Sequence, residues 1–136
     1  MDNLQILKNA NLKATPQRLA ILKVLKTHIH PNIDELYEEI KKENPSISLA
    51  TVYKNLDTLV ESKIAIEINT PNLKTKYDIY EHPHAHVVCQ KCGFTQDLMD
   101  DVSNIVKYQN QLEEKIGKNI DNFSVVATID GCQNCS

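Results

Sequence analysis

The sequence predicts an α+β chain in two parts, with the boundary at residue 80. Three observations carry that prediction. Apolar residues recur at helical spacing as far as Leu59. Beyond Ile64 they gather instead in short β-branched runs. All four cysteines fall in the second part, as Cys89-x-x-Cys92 and Cys132-x-x-Cys135.

The elements follow in order. Leu4, Leu7 and Leu12 stand near helical spacing. Thr15-Pro16 is a helix start, a capping hydroxyl followed by proline at the first helical position. Leu19, Leu22 and Leu25, or Ile21 and Val24 beside them, mark its buried stripe. After His30-Pro31, a third helix carries Ile33, Leu36, Tyr37 and Ile40 inward, with Asp34, Glu35, Glu38 and Glu39 on the wet face. Asn44-Pro45 stops it. Ser48 caps a fourth helix whose expected core stripe is Leu49, Val52, Leu56 and Leu59. Ile64–Ile68 and Lys76–Tyr80 then read as a hairpin. Helices followed by a hairpin make a winged-helix layout, expected over residues 1–80.

Residues 81–136 switch to strands: His86–Cys89, Phe94–Leu98 and Phe123–Ile129. One helix, Val102 to Ile116, interrupts them and ends at Gly117. Three strands and one helix form a thin layer with an open sheet edge, which a second copy of the chain would cover. The expectation is a small α/β dimerisation domain and a homodimer.

Composition narrows the function. Residues 1–68 carry nine Lys/Arg and nine Asp/Glu, a net of zero, and the remainder six and nine, a net of −3. The overall charge of −3 argues against nucleic-acid binding by bulk positive charge. Any DNA contact must come from locally placed groups. With no apolar run of membrane-spanning length, no secretory pattern after Met1 and paired thiols, the chain is expected in the cytoplasm.

Two Cys-x-x-Cys pairs are the ligand set of a tetrahedral zinc site. Four thiolates leave no open position, so Cys89, Cys92, Cys132 and Cys135 are expected to hold a structural Zn²⁺. A redox role fits less well. Cys92-Gly93-Phe94 runs into a strand rather than opening a helix, and Cys135 is next to last. His84-x-His86 presents two imidazoles on one side of an extended segment, with Asp78 and Asp97 on neighbouring strands and His30 in the helical part. Such a mixed set suits iron, manganese or zinc. His28 is read as a surface or hydrogen-bonded imidazole. On the helix after Ser48, Ala50, Thr51, Lys54 and Asn55 face outward with Tyr53 at the flank. The last helix before a wing is where such domains read the major groove. Lys13 and Arg18 are further candidate phosphate or minor-groove contacts.

Thr15-Pro16-Gln17-Arg18, His30-Pro31, Ser48 through Leu56, His84 through Gly93 and the terminal Cys132-x-x-Cys135 together resemble the ferric uptake regulator family of bacterial metal-dependent repressors. The resemblance spans nearly the whole chain. It implies a homodimer with a DNA-binding winged helix, and a regulatory Fe²⁺ or Mn²⁺ site formed by His30, Asp78, His84, His86 and Asp97. Asp78 stands eleven residues before Cys89 and Asp97 five after Cys92, which is similar to the peroxide-sensing branch. There, hydrogen peroxide oxidises a ligand histidine, and the matching positions are His30 and His84. The resemblance thus implies a repressor binding operator DNA, not an enzyme. An iron- or zinc-homeostasis repressor of the same family is the nearest alternative. A mononuclear non-haem iron enzyme is a more distant one.

Overall fold

The computed structural model describes residues 2–80, 85–98 and 102–135. The chain divides into two compact units, one of Met1–Asn69 with Lys74–Tyr80 and one of Thr70–Leu73 with Glu81–Ser136.

In the first unit each helix begins at a residue able to cap it. Asp2 accepts from the Gln5 N–H at the start of α1 (Asn3–Asn9). Thr15 accepts from Arg18 N–H at α2 (Pro16–Leu25), where Pro16 occupies the first turn and forfeits no hydrogen bond. Asn32 and Glu35 form a reciprocal capping box at α3 (Ile33–Glu43). Ser48 accepts from Thr51 N–H at α4 (Leu49–Glu61). Such caps contribute about 1 kcal/mol each. The helices bury Leu7, Ile21, Leu22, Leu25, Leu36, Ile40, Val52, Leu56 and Leu59 in one core. Each large aliphatic side chain so buried contributes roughly 1.5–3 kcal/mol.

The hairpin β1 (Ala65–Ile68) and β2 (Lys76–Ile79) is antiparallel, with Ile66 opposite Asp78. Ala65, Tyr77 and Ile79 close the same core. A single bridge joins Asn32 to Lys76, and Tyr77 N–H donates to the Pro31 carbonyl at 2.9 Å. That bridge lays the His30-Pro31 segment against β2, which positions the site below.

One core assignment is corrected. Leu49 is 42% exposed and does not join the buried stripe. It occupies the first helical position of α4, where the helix has only just left Ser48, and the stripe proper starts at Val52.

The second unit is a three-stranded sheet in the order β4-β3-β5. β3 (Ala85–Cys89) runs antiparallel to β4 (Thr95–Leu98) and parallel to β5 (Val125–Ile129). The parallel pairing needs a long connection, and α5 (Val102–Ile116) lies within it. Gly117 ends α5 at φ +70°, donating to the Glu113 carbonyl. Every residue of β5 is exposed, including Val125, Val126 and Ile129, and α5 exposes Val106, Tyr108 and Ile116. Among the described residues, no helix is long and apolar enough to cross a membrane.

Candidate metal centres and nucleic-acid face

The four cysteines come together in the second unit. Gly93, at φ +78°, turns the chain after Cys92 and donates to the Cys89 carbonyl at 2.8 Å. Cys89 N–H donates to the Phe94 carbonyl, and Phe94 N–H points at Cys92 Sγ at 3.4 Å. β5 carries the chain back alongside β3, with Ile129 opposite Cys89, so Cys132-x-x-Cys135 arrives at the same end.

The sulfur spacing is that of a closed tetrahedron. Cys89 and Cys135 Sγ lie 3.5 Å apart, Cys92 and Cys132 3.5 Å, Cys132 and Cys135 3.7 Å. Zinc–sulfur bonds of about 2.3 Å give tetrahedral edges of about 3.8 Å. The thiols differ sharply as acids. A hydrogen bond from the Cys92 backbone, opposed by burial and aided by the Lys91 backbone, draws Cys89 down to about 6. Burial pushes Cys132 up to about 12. Four neighbouring sulfurs cannot all ionise unaided, and a divalent cation held among them is what makes four thiolates compatible.

Each unit holds one pair of the expected histidine and aspartate ligands. In the second, His86 and Asp97 are directly opposed across β3 and β4, with Nε2 3.1 Å from Oδ1. In the first, the bridge between Asn32 and Lys76 brings His30 beside β2, its Nε2 3.5 Å from Asp78 Oδ2. Both His30 and Asp78 are buried. Donors at right angles on a first-row divalent ion, with bonds near 2.1 Å, lie about 3 Å apart, so both pairs suit neighbouring ligands of such an ion. His84, the remaining expected ligand, lies outside the described residues.

His28 is a hydrogen-bonded imidazole, as expected, but its partner is one of the expected metal ligands. Its Nδ1 lies 3.2 Å from Asp78 Oδ1, so Asp78 is approached from two sides by imidazoles of one short segment. Both His28 (φ +58°) and His30 (φ +54°) adopt the left-handed backbone region, rare for a side chain of this size. Outliers of this kind cluster at functional sites. The signal was available in the sequence: His28-x-His30 repeats the spacing of His84-x-His86.

On α4, Ala50, Tyr53 and Lys54 are exposed and line a shallow hollow of about 630 Å³ with Leu49, Asp57, Thr58 and Glu61. Thr51 and Asn55 are less available. The Thr51 hydroxyl meets Ser48 Oγ at 2.8 Å, and the Asn55 amide donates back to the Thr51 carbonyl at 2.9 Å. Burial pushes the Tyr77 phenol on β2 up to about 12, with the nearby Tyr53 and Glu67 adding to the shift. Arg18 is part-buried and donates to the Lys13 carbonyl at 2.9 Å, bracing the turn before α2, while Lys13 is exposed.

A sequence model of the ferric uptake regulator family matches residues 9–128. The peroxide-responsive repressor PerR of Staphylococcus saprophyticus is 35% identical over 112 residues, 79% of this chain and 76% of that protein. Among solved structures, the Campylobacter jejuni peroxide stress regulator is 59% identical with a TM-score of 0.81, covering 99% of this chain and all of that one. The Vibrio cholerae ferric uptake regulator, described by its DNA-binding domains, is 32% identical with a TM-score of 0.71, covering 96% of this chain and all of that one. A family match over this much of the chain, with a repressor 35% identical across more than two thirds of it, means that the protein belongs to the ferric uptake regulator family.

Proposed function

We propose that this protein is a metal-dependent, peroxide-sensing transcriptional repressor acting on operator DNA as a cytoplasmic homodimer. The observation that carries this reading is the coexistence of two chemically distinct ligand sets. One is a closed cluster of four sulfurs; the other comprises His–Asp pairs of nitrogen and oxygen donors. A sulfur tetrahedron suits a resident Zn²⁺ that holds structure. Imidazole and carboxylate donors suit Fe²⁺ or Mn²⁺, which exchange and so report on the cell. Two likenesses, the 59% identity to a peroxide stress regulator and the 35% identity to PerR, favour peroxide over metal supply as the signal.

The assignment of roles follows. Residues 1–80 form the DNA-binding domain, with Ala50, Tyr53 and Lys54 at the groove, Thr51 and Asn55 supporting them, and Lys13 and Arg18 near the backbone. Residues 81–136 form the dimerisation and metal-binding domain. Cys89, Cys92, Cys132 and Cys135 hold Zn²⁺. His30 and Asp78 from the first unit, with His84, His86 and Asp97 from the second, hold one regulatory ion. That ion neutralises two carboxylates and ties the units into the DNA-binding arrangement. Fe²⁺ held there would let hydrogen peroxide act as a two-electron oxidant of a neighbouring imidazole, His30 or His84, one oxygen inserting into a ring C–H bond and the other leaving as water. An oxidised imidazole is a poor donor, so the tie is released.

The test begins with selection of an operator from random duplex DNA in the presence of Mn²⁺. The Fe²⁺-loaded protein is then pulsed with hydrogen peroxide and its peptides weighed. The expected result is one added oxygen on the peptide holding His30 or His84, with loss of operator binding; the Mn²⁺ form should stay unmodified. Metal-dependent DNA binding that survives peroxide, with both peptides unchanged, would instead assign the protein to metal homeostasis.

A further inference from the structure

We infer that His28 is a positioning residue for the regulatory metal, fixing Asp78 as a one-oxygen ligand. This rests on the reading of Asp78 as a metal ligand given above. The two oxygens of Asp78 have different surroundings. Oδ1 accepts from the Ile79 N–H at 2.8 Å and faces His28 Nδ1 at 3.2 Å. Oδ2 is turned to His30 Nε2 at 3.5 Å. Opposite a carboxylate oxygen, Nδ1 of His28 carries its hydrogen and donates it. Oδ1 is thereby engaged by two N–H groups, and Oδ2 is the oxygen presented on the His30 side.

The backbone explains why a histidine can do this from an unlikely place. α2 ends at Leu25, and His28 N–H still donates to the Leu25 carbonyl at 3.1 Å. The chain then turns through the left-handed region at His28, leaving Ile29 exposed and returning His30 to the interior. The alternation places His28 and His30 on either side of one carboxylate. His28 remains 38% exposed while Asp78 and His30 are buried. It therefore holds the ligand from the outer side. Hydrogen-bonded partners of metal ligands fix ligand orientation, and their removal typically costs about 10–100-fold in metal affinity.

Asparagine and glycine separate this role from a backbone effect. Both tolerate the positive φ at position 28, but only asparagine places an N–H on the atom corresponding to Nδ1. Mn²⁺ affinity of the full-length, zinc-loaded protein is measured from the electron paramagnetic resonance signal of free Mn²⁺, with zinc content and circular dichroism as controls. His28→Gly should bind Mn²⁺ about 10–100-fold more weakly, and His28→Asn should recover most of that loss. Should glycine loosen the end of α2, His28→Asp offers the same backbone tolerance with oxygen in place of N–H, and it must weaken Mn²⁺ at least as much. Parent-like affinity in His28→Gly, or equal weakness in His28→Gly and His28→Asn, would overturn the role of His28. Asp78→Ala is the separating control: if it loses Mn²⁺ while His28→Gly does not, only His28 is misassigned. If Asp78→Ala binds like the parent, Asp78 is not a ligand and both readings fall.

Discussion

Cys135 is the last of four sulfurs to reach the cluster, and it approaches Cys89 and Cys132 at 3.5 and 3.7 Å. Replacing its thiol by a hydroxyl leaves three thiolates and an exchangeable fourth position. Cys135→Ser is therefore expected to lose Zn²⁺ to a chelator that leaves the parent untouched, and to melt the second unit at lower temperature. Structural zinc contributes roughly 10–16 kcal/mol of folding free energy in zinc-finger peptides, so a partial loss should be plain in a thermal scan. A full zinc equivalent retained, with parent stability, would mean that the cluster is not a structural centre. Two histidines illustrate how much a single residue's context matters. His86 announced itself by standing three residues before Cys89. His28 showed only its spacing to His30, because its partner Asp78 is fifty residues away and reaches it only through the pairing of β2 with the Asn32 segment.

At the scale of the element, α4 shows what helical periodicity can and cannot settle. The inward stripe Val52, Leu56 and Leu59 follows from spacing alone. The outward face is more selective than its polarity suggests, since Thr51 and Asn55 spend their side chains on Ser48 and on the helix backbone. Lys54 is the exposed cation there, with the carboxylates of Asp57 and Glu61 further along the same hollow. Lys54→Ala should weaken operator binding by about 1–3 kcal/mol and, if Lys54 meets a phosphate, lower the salt slope by about one. Zinc content and dimer mass should be unchanged. Parent-like binding across a salt series would remove α4 as the reader. The sheet of the second unit held a different lesson. Three strands were legible from their β-branched runs, but nothing in those runs distinguishes a parallel from an antiparallel neighbour. The parallel pairing of β3 with β5 is decided by where the long α5 connection returns the chain.

At the scale of the whole molecule, β5 is the sheet's outermost strand on one side, and all five of its residues are exposed. An exposed edge bearing Val125, Val126 and Ile129 is a template for another strand unless something covers it. A second copy of the chain is the proposed cover. The double variant Val125→Lys/Val126→Lys, which puts charge on that edge without touching the cysteines, should shift the protein to monomer at micromolar concentration in analytical ultracentrifugation. Because two recognition helices must reach two half-sites together, operator affinity should fall with it. An unchanged dimer mass would place the interface elsewhere.

The pieces whose causes are local could be read from residue order alone. Caps at Thr15 and Ser48, helical stripes, the termination at Gly117 and the two Cys-x-x-Cys turns each depend on residues within a few positions of one another. Their physics is complete in a short window of chain. Family membership was legible for a related reason, because its motifs are such windows repeated in order. Which distant groups share a carboxylate or an edge emerges instead from the folded chain. Asp78 lies between His28 and His30 because a single bridge joins Asn32 to Lys76. Contacts of this kind are set by how the backbone returns on itself, a property of the folded chain that no local pattern of residue types encodes.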